Sequence, residues 1–488
     1  MKKLFAPLLL IASLTLSCAK EELPKDEKEI TDPKEPTEDL QVEQFIYEVM
    51  EDIYLYEAEV PELQDDYFKS EAALDDYLGS FESPFDLYED LQAVHDKFSF
   101  MTDDYVALEK MFNGVTKSNG MDFGLAYMSS DSDKVIGYVN YVVKGSSAEE
   151  QGIERGDVFT KVNGTQLTSG NYVDLLYSGA TYTINKGRLV NGEVVWSDQE
   201  VSLTGEELSE DPVHVSKVLE TEGREIGYLM YNGFFGTPEF DTKLNAAFGD
   251  FKAQGVTDLI LDLRYNSGGH VMTAIDLAGM ITGQFEDEVL IKVRYNDKYQ
   301  SLYSPESYLV RFDSKIQTGE ALNSLNLNRV FVITSSRSAS ASELVINGLE
   351  PYINVVQIGE NTAGKFQVSN TFYDSPDGGR EGASTEHTYA VQPLIAKYAN
   401  AEGKTDFFDG LVPDIAIEEH PANLGILGDP SERLLEAALN AALGKSQETM
   451  ATSKQMENQF KVIGNSEMFK PSYQRMILGD GPILQLKD

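Results

Sequence analysis

Val330-Phe331-Val332-Ile333-Thr334-Ser335-Ser336-Arg337-Ser338-Ala339-Ser340-Ala341-Ser342-Glu343 opens the stretch that decides the fold, and Thr362-Ala363-Gly364-Lys365 closes it. An apolar run leads into a patch of small residues. A helical segment, Glu343 to Leu349, follows, and then a second apolar run, Val355-Val356-Gln357-Ile358-Gly359. Strand, tight turn, helix, strand and loop in that order are the layout of a βαβ unit, so the spacing predicts an α/β domain.

Two residues within it carry chemistry. Ser340 falls where the chain enters the helix. The N–H groups of a first helical turn have no intrahelical partner and can face a developing negative charge. Small neighbours leave room for a substrate carbonyl. Lys365 follows a glycine after the second strand. A lysine in a dry pocket loses its charge more easily, and the neutral amine can take a hydroxyl proton. The same residues also fit an ordinary N-cap serine and a surface lysine, so composition alone leaves both readings open.

Ser338 to Glu343 and Gly359 to Lys365 resemble the core motif of the C-terminal processing peptidases, or tail-specific proteases. The resemblance implies a multi-domain α/β chain. Its parts would be an N-terminal helical region, a PDZ-like β-rich domain and a ClpP–crotonase-like α/β catalytic domain. It also implies Ser340 as nucleophile and Lys365 as general base. Many members carry a Gln four residues after the lysine. Here that position is Ser369, so Gln367 and Ser369 are both candidates to support the dyad. The run from Leu261 through Asp262, Leu263, Arg264 and Asn266 to Gly268-Gly269 resembles a second family motif. By that resemblance, Gly268 or Gly269 gives one oxyanion-hole N–H and Ala341 the other. Asp262 and Arg264 read as a structural pair.

Working outward, residues 118–205 change to short strands and turns. Ser146 to Gly152, Gly156-Asp157 and the hairpin signal Asn163-Gly164 follow the order of a PDZ domain. The resemblance makes Phe123-Gly124-Leu125-Ala126 the loop that captures a peptide carboxylate, with the peptide added as a strand. Residues 41–115 read as helical, with Phe45, Val49, Ile53 and Tyr56 on one face and Pro61 and Pro84 breaking the run. The catalytic domain would occupy 212–445, and 446–488 would be a C-terminal extension.

At the start, Lys2-Lys3 and the apolar Leu4 to Leu16 read as a signal peptide over 1–17. Leu14 to Cys18 resembles a bacterial lipobox, which would make Cys18, the sole cysteine, a lipidated N-terminus. Residues 18–40 read as an acidic tether. The expected location is the bacterial cell envelope, lipid-anchored, either periplasmic or at the surface. A net charge of −42 argues against nucleic acid as a partner.

Of five histidines, His270 follows the Gly-Gly turn and is the one rival base for a Ser-His-Asp arrangement. No two histidines have helical metal-ligand spacing, and no phosphate loop is present. The expectation is a serine endopeptidase that needs no metal or cofactor. It would cleave unfolded or tail-presented protein and peptide substrates through an acyl-enzyme. The alternative is a catalytically inactive, PDZ-containing, peptide-binding surface lipoprotein. A crotonase-like acyl-CoA enzyme fits less well, because nothing in the chain suggests a CoA site.

Overall fold

The computed structural model describes residues 40–477, except 130, 191–192, 446–459, 472 and 475. The expected signal peptide, Cys18 and the tether up to residue 39 lie outside the described residues, as does much of 446–488.

The deciding stretch folds as expected. Strands Arg329–Thr334 and Asn354–Gly359 run parallel, joined by helix Ala341–Leu349. They sit in a six-stranded sheet with Val213–Thr221, Arg224–Tyr231, Asp258–Asp262 and Ile415–Ala416. Only the outermost pair, Val213–Thr221 with Arg224–Tyr231, is antiparallel. Alternate residues of each strand face opposite sides. Ile260, Phe331, Ile333 and Ile358 pack on Leu434, Leu435 and Ala438 of helix Arg433–Ala442. Leu259, Leu261, Val330 and Val332 share the opposite core with Leu344 and Val345 of helix Ala341–Leu349. Helices Pro238–Ala253 and Val271–Thr282 fill that same core. With both faces covered, the middles of strands Arg329–Thr334 and Asp258–Asp262 are apolar on both sides, which is why they read as unbroken runs.

The N-terminal helices are not a separate core. Val49, Ile53, Leu87 and Leu91 pack in one cluster with Leu261 and Val332 of the six-stranded sheet. Pro61 and Pro84 begin short helices rather than only ending them. Pro84 is the first residue of helix Pro84–Asp90, and the Ser83 hydroxyl accepts from Asp86 N at 3.3 Å. Proline suits that position because its missing N–H would be unpaired there anyway.

Strands Met121–Tyr127, Val135–Val142, Asp157–Phe159, Tyr182–Val190 and Glu193–Leu203 build the β-rich part, with helices Ser147–Glu150 and Tyr172–Tyr177 against it. Asn163 (φ 49°) and Gly164 (φ 74°) turn a tight hairpin, both in the left-handed region. The stretch read as a carboxylate loop, Phe123 to Ala126, lies inside strand Met121–Tyr127. Phe123 and Leu125 point into one core and Ala126 into another. A Cβ on Gly124 would meet the Tyr138 ring at 2.2 Å, so the glycine admits that ring rather than opening a loop.

Asp262 and Arg264 form the structural pair expected of them, within a larger cluster. Arg264 is fully buried. Its guanidinium reaches Asp262 at 2.8 Å, Glu419 at 2.8 Å and Glu432 at 2.9 Å. Arg155, from the β-rich part, bonds Glu419 at 2.6 Å.

Candidate active site

The turn before Ser340 is held by its own serines. Ser338 Oγ donates to Leu263 O at 2.8 Å, and Ser342 Oγ to Asn266 O at 3.0 Å. Ser335 Oγ donates to Arg264 O. The small residues, read as room for a substrate, are instead hydroxyl staples to the neighbouring Leu263–Asn266 loop. Ser340 itself is fully buried, and its Oγ makes no hydrogen bond. Its backbone lies at φ 63°, ψ −112°. Such a conformation costs of order 1–3 kcal/mol in a non-glycine residue and persists only where its surroundings enforce it.

What enforces it is Glu343. Its Oε2 accepts from Ser340 N at 2.7 Å and from Lys365 N at 2.9 Å. Its Oε1 accepts from Gly364 N at 2.7 Å and from the Thr362 hydroxyl. One carboxylate oxygen therefore joins the backbones of Ser340 and Lys365, residues 25 apart in sequence. Burial pushes the Glu343 carboxyl up to about 7, against the opposite pull of those four donors. Ser340 as N-cap with Glu three residues on is a capping-box spacing, and that signal was available in the sequence.

Glu343 also makes stability depend on pH. A native carboxyl raised from 4.5 to about 7 holds its proton in the fold after the unfolded chain has released it. Its contribution is fully present below pH 4.5 and is lost as pH rises to about 7. The melting temperature of Glu343→Gln should therefore fall less over that window than that of the unsubstituted chain. Parallel curves across it would show that Glu343 does not titrate there.

Lys365 is fully buried, with Nζ 5.1 Å from the centroid of the Phe98 ring. Phe98 comes from the N-terminal block, and nothing in the sequence marked it as part of this site. Gln367 and Ser369 turn away to other partners. Gln367 Nε2 donates to Tyr56 Oη at 3.1 Å, and Ser369 Oγ donates to Met476 O at 2.8 Å.

The glycine pair lies between strand Asp258–Asp262 and helix Val271–Thr282. Gly268 N donates to Asn266 Oδ1 at 2.9 Å, so that N–H is already committed. Gly269 sits at φ 129°, and a Cβ there would meet Phe234 O at 2.1 Å. Ala341 is the first residue of its helix and is buried. His270, the rival base, caps helix Val271–Thr282, and its backbone N–H donates to Phe234 O at 2.7 Å. The loop carrying Lys365 rests on the Phe408–Leu411 segment. Thr362 Oγ1 accepts from Leu411 N at 2.7 Å, and a Cβ on Gly410 would meet Thr362 O at 2.0 Å. Among the described residues, no cluster of His, Cys, Asp and Glu has the makings of a metal site.

Comparison with known proteins bears on the family and the fold. Residues 225–417 match peptidase family S41, residues 41–100 the peptidase S41 N-terminal domain and residues 138–182 a PDZ domain. The carboxyl-terminal-processing protease of Picosynechococcus is 25% identical over 300 residues, which are 61% of this chain and 64% of that protein. The Synechocystis protein of the same name is 23% identical over 308 residues, 62% of this chain and 63% of that one. The chain thus spans a little under two thirds of the length of these relatives. A solved structure from Bacteroides fragilis, titled as an S41 protease, superposes with a TM-score of 0.66 at 28% identity. That match covers 82% of this chain and 97% of the other.

Proposed function

We propose that this chain, which belongs to peptidase family S41, is a serine endopeptidase held by a lipid anchor at the bacterial cell envelope. Its substrates are extended polypeptides, unfolded or presented by a tail. The supporting observation is the Glu343 oxygen shared by the Ser340 and Lys365 amides. It ties together the backbones of two residues whose side chains are both fully buried.

Burial disfavours the Lys365 ammonium, leaving an amine able to accept a proton. Nζ takes the Ser340 proton as Oγ bonds to the scissile carbonyl carbon. The carbonyl oxygen becomes an oxyanion, held by N–H groups of the Ala341 helix start and the Gly268-Gly269 loop. Collapse breaks the C–N bond, and the departing amine takes the proton from Lys365. Water then attacks the ester and gives its proton to Lys365. Release of the carboxylic acid returns that proton to Ser340. The Ser340–Lys365 hydrogen bond is not made in this state, and such contacts often tighten only when substrate binds.

Turnover of a fluorogenic peptide library, with mass detection of an acyl group on Ser340, tests this reading. No turnover and no adduct would leave a peptide-binding protein. The anchor is tested separately: Cys18→Ser should abolish incorporation of radiolabelled fatty acid and release the chain from membranes. Gly269→Ala keeps the N–H but forces the loop to shift, since a Cβ there would meet Phe234 O at 2.1 Å, and a displaced oxyanion donor should lower kcat by about 10²–10³-fold. An undiminished kcat would assign the donor elsewhere.

A further inference from the structure

The groove expected to take a peptide is filled. Strand Val462–Asn465 pairs antiparallel with Met121–Tyr127, with Val462 opposite Ala126, Gly464 opposite Leu125 and Asn465 opposite Gly124. These are the residues from which peptide binding was expected. The pairing continues at both ends: Tyr127 N donates to Lys461 O at 2.9 Å, and Ser466 N to Phe123 O at 2.8 Å. On the other side stands helix Tyr172–Tyr177. Tyr177 Oη donates to Asn465 O at 2.5 Å, and its ring meets Phe469 edge-on at 4.7 Å. Ile463 packs into the core beneath. A strand between a sheet edge and a helix, with an apolar side chain pointing down, is how such a groove takes a peptide.

The segment also reaches the catalytic side. Ser466 Oγ donates to Asp122 Oδ2 at 2.7 Å. Asp122 in turn holds both terminal nitrogens of Arg337, at 2.8 and 2.9 Å, three residues before Ser340. Further on, Met476 and Ile477 pair in parallel with Gly269 and His270. One stretch of chain therefore lies on the peptide groove and along the glycine loop of the cleft.

Direction excludes an ordinary substrate pose. A substrate captured by its C-terminal carboxylate has its groove-bound residues downstream of the scissile bond. Here the groove-bound residues, 462–465, come before the cleft-bound ones, 476–477. We propose that residues 460–471 are a tethered internal ligand of the chain's own PDZ groove, and that incoming polypeptides must displace them. This rests on the endopeptidase reading only for what the incoming chains are. A docked tether acts at about millimolar effective concentration and weakens a competitor in proportion to the time it stays docked.

The test is binding, which needs no catalysis. A fluorescent peptide with the sequence of residues 460–471 is titrated into the Ser340→Ala chain with and without Ile463→Asp. The proposal expects binding about tenfold tighter or more with Ile463→Asp. Equal affinity in the two chains would overturn it. A second variant guards against misfolding. Ala126→Cys with Val462→Cys, in a Cys18→Ser background, locks the segment in place. Peptide should then bind only after reduction, and binding to the oxidised form would count against the proposal. Absence of turnover in the chain that keeps Ser340, with these binding differences intact, would sink the endopeptidase reading and leave this one standing.

Discussion

Ser340→Ala and Lys365→Ala should each abolish peptide cleavage, by about 10⁴–10⁶-fold in kcat, because residues that act as one unit are lost as one. The double variant should be no worse than either single one. Stability should move the other way. Ser340 Oγ has no hydrogen bond to lose, and its backbone lies where a Cβ is strained. Ser340→Gly should therefore melt higher than the unsubstituted chain, by up to about 1 kcal/mol, while being equally inactive. Lys365→Met removes a buried polar amine while keeping an apolar stem and should at least hold stability. A dead but more stable Ser340→Gly would show that the fold bears a strained residue for the sake of chemistry. Two results would refute the dyad: cleavage surviving in Ser340→Ala or Lys365→Ala, or losses that multiply in the double variant.

The sequence made the catalytic sheet legible because both its faces are covered. Val330 to Ile333 and Leu259 to Leu261 are apolar without interruption, and few local structures other than buried strands use such runs between glycine-rich turns. The turns that carry Ser340 and Lys365 were legible for a different reason, since small residues and glycines punctuate both loops, whereas the roles expected of the two side chains came from the family resemblance alone. Contacts made across hundreds of residues were not legible. Phe98 reaches Lys365, and Tyr56 reaches Gln367, with no local pattern to announce either. The segment around Val462 is short, polar and far from Met121 in sequence, so its pairing leaves no periodic trace. Phe123 to Ala126 reads as a loop only through the PDZ resemblance, whereas the stretch is strand and Gly124 makes room for the Tyr138 ring.

Arg264→Met should cost about 3–5 kcal/mol, the usual penalty for removing one partner from a buried ion cluster. The arginine sits among Asp262, Glu419 and Glu432, and all but Glu419 are completely enclosed. Without it, Arg155 alone faces three carboxylates, and only Glu419 lies within its reach. Arg264→Lys should recover little, because an ammonium cannot present the planar fork that meets Asp262 and Glu432 together. The pH dependence gives an independent readout. Burial raises the Glu419 carboxyl, but Arg155 and then Arg264 pull it down to about 2. A lowered native value adds stability that is present above the ordinary 4.5 and is lost as pH falls toward 2. In Arg264→Met that acid-side loss should shrink, since one of the two cations holding Glu419 is gone. Denaturant unfolding at about pH 7 and at about pH 2.5 measures both effects. A loss under 1 kcal/mol at pH 7, with an unchanged acid slope, would mean the carboxylates had found protons or water instead. The cluster would then not be what fastens strand Asp258–Asp262, and the glycine loop after it, to the helix behind the sheet.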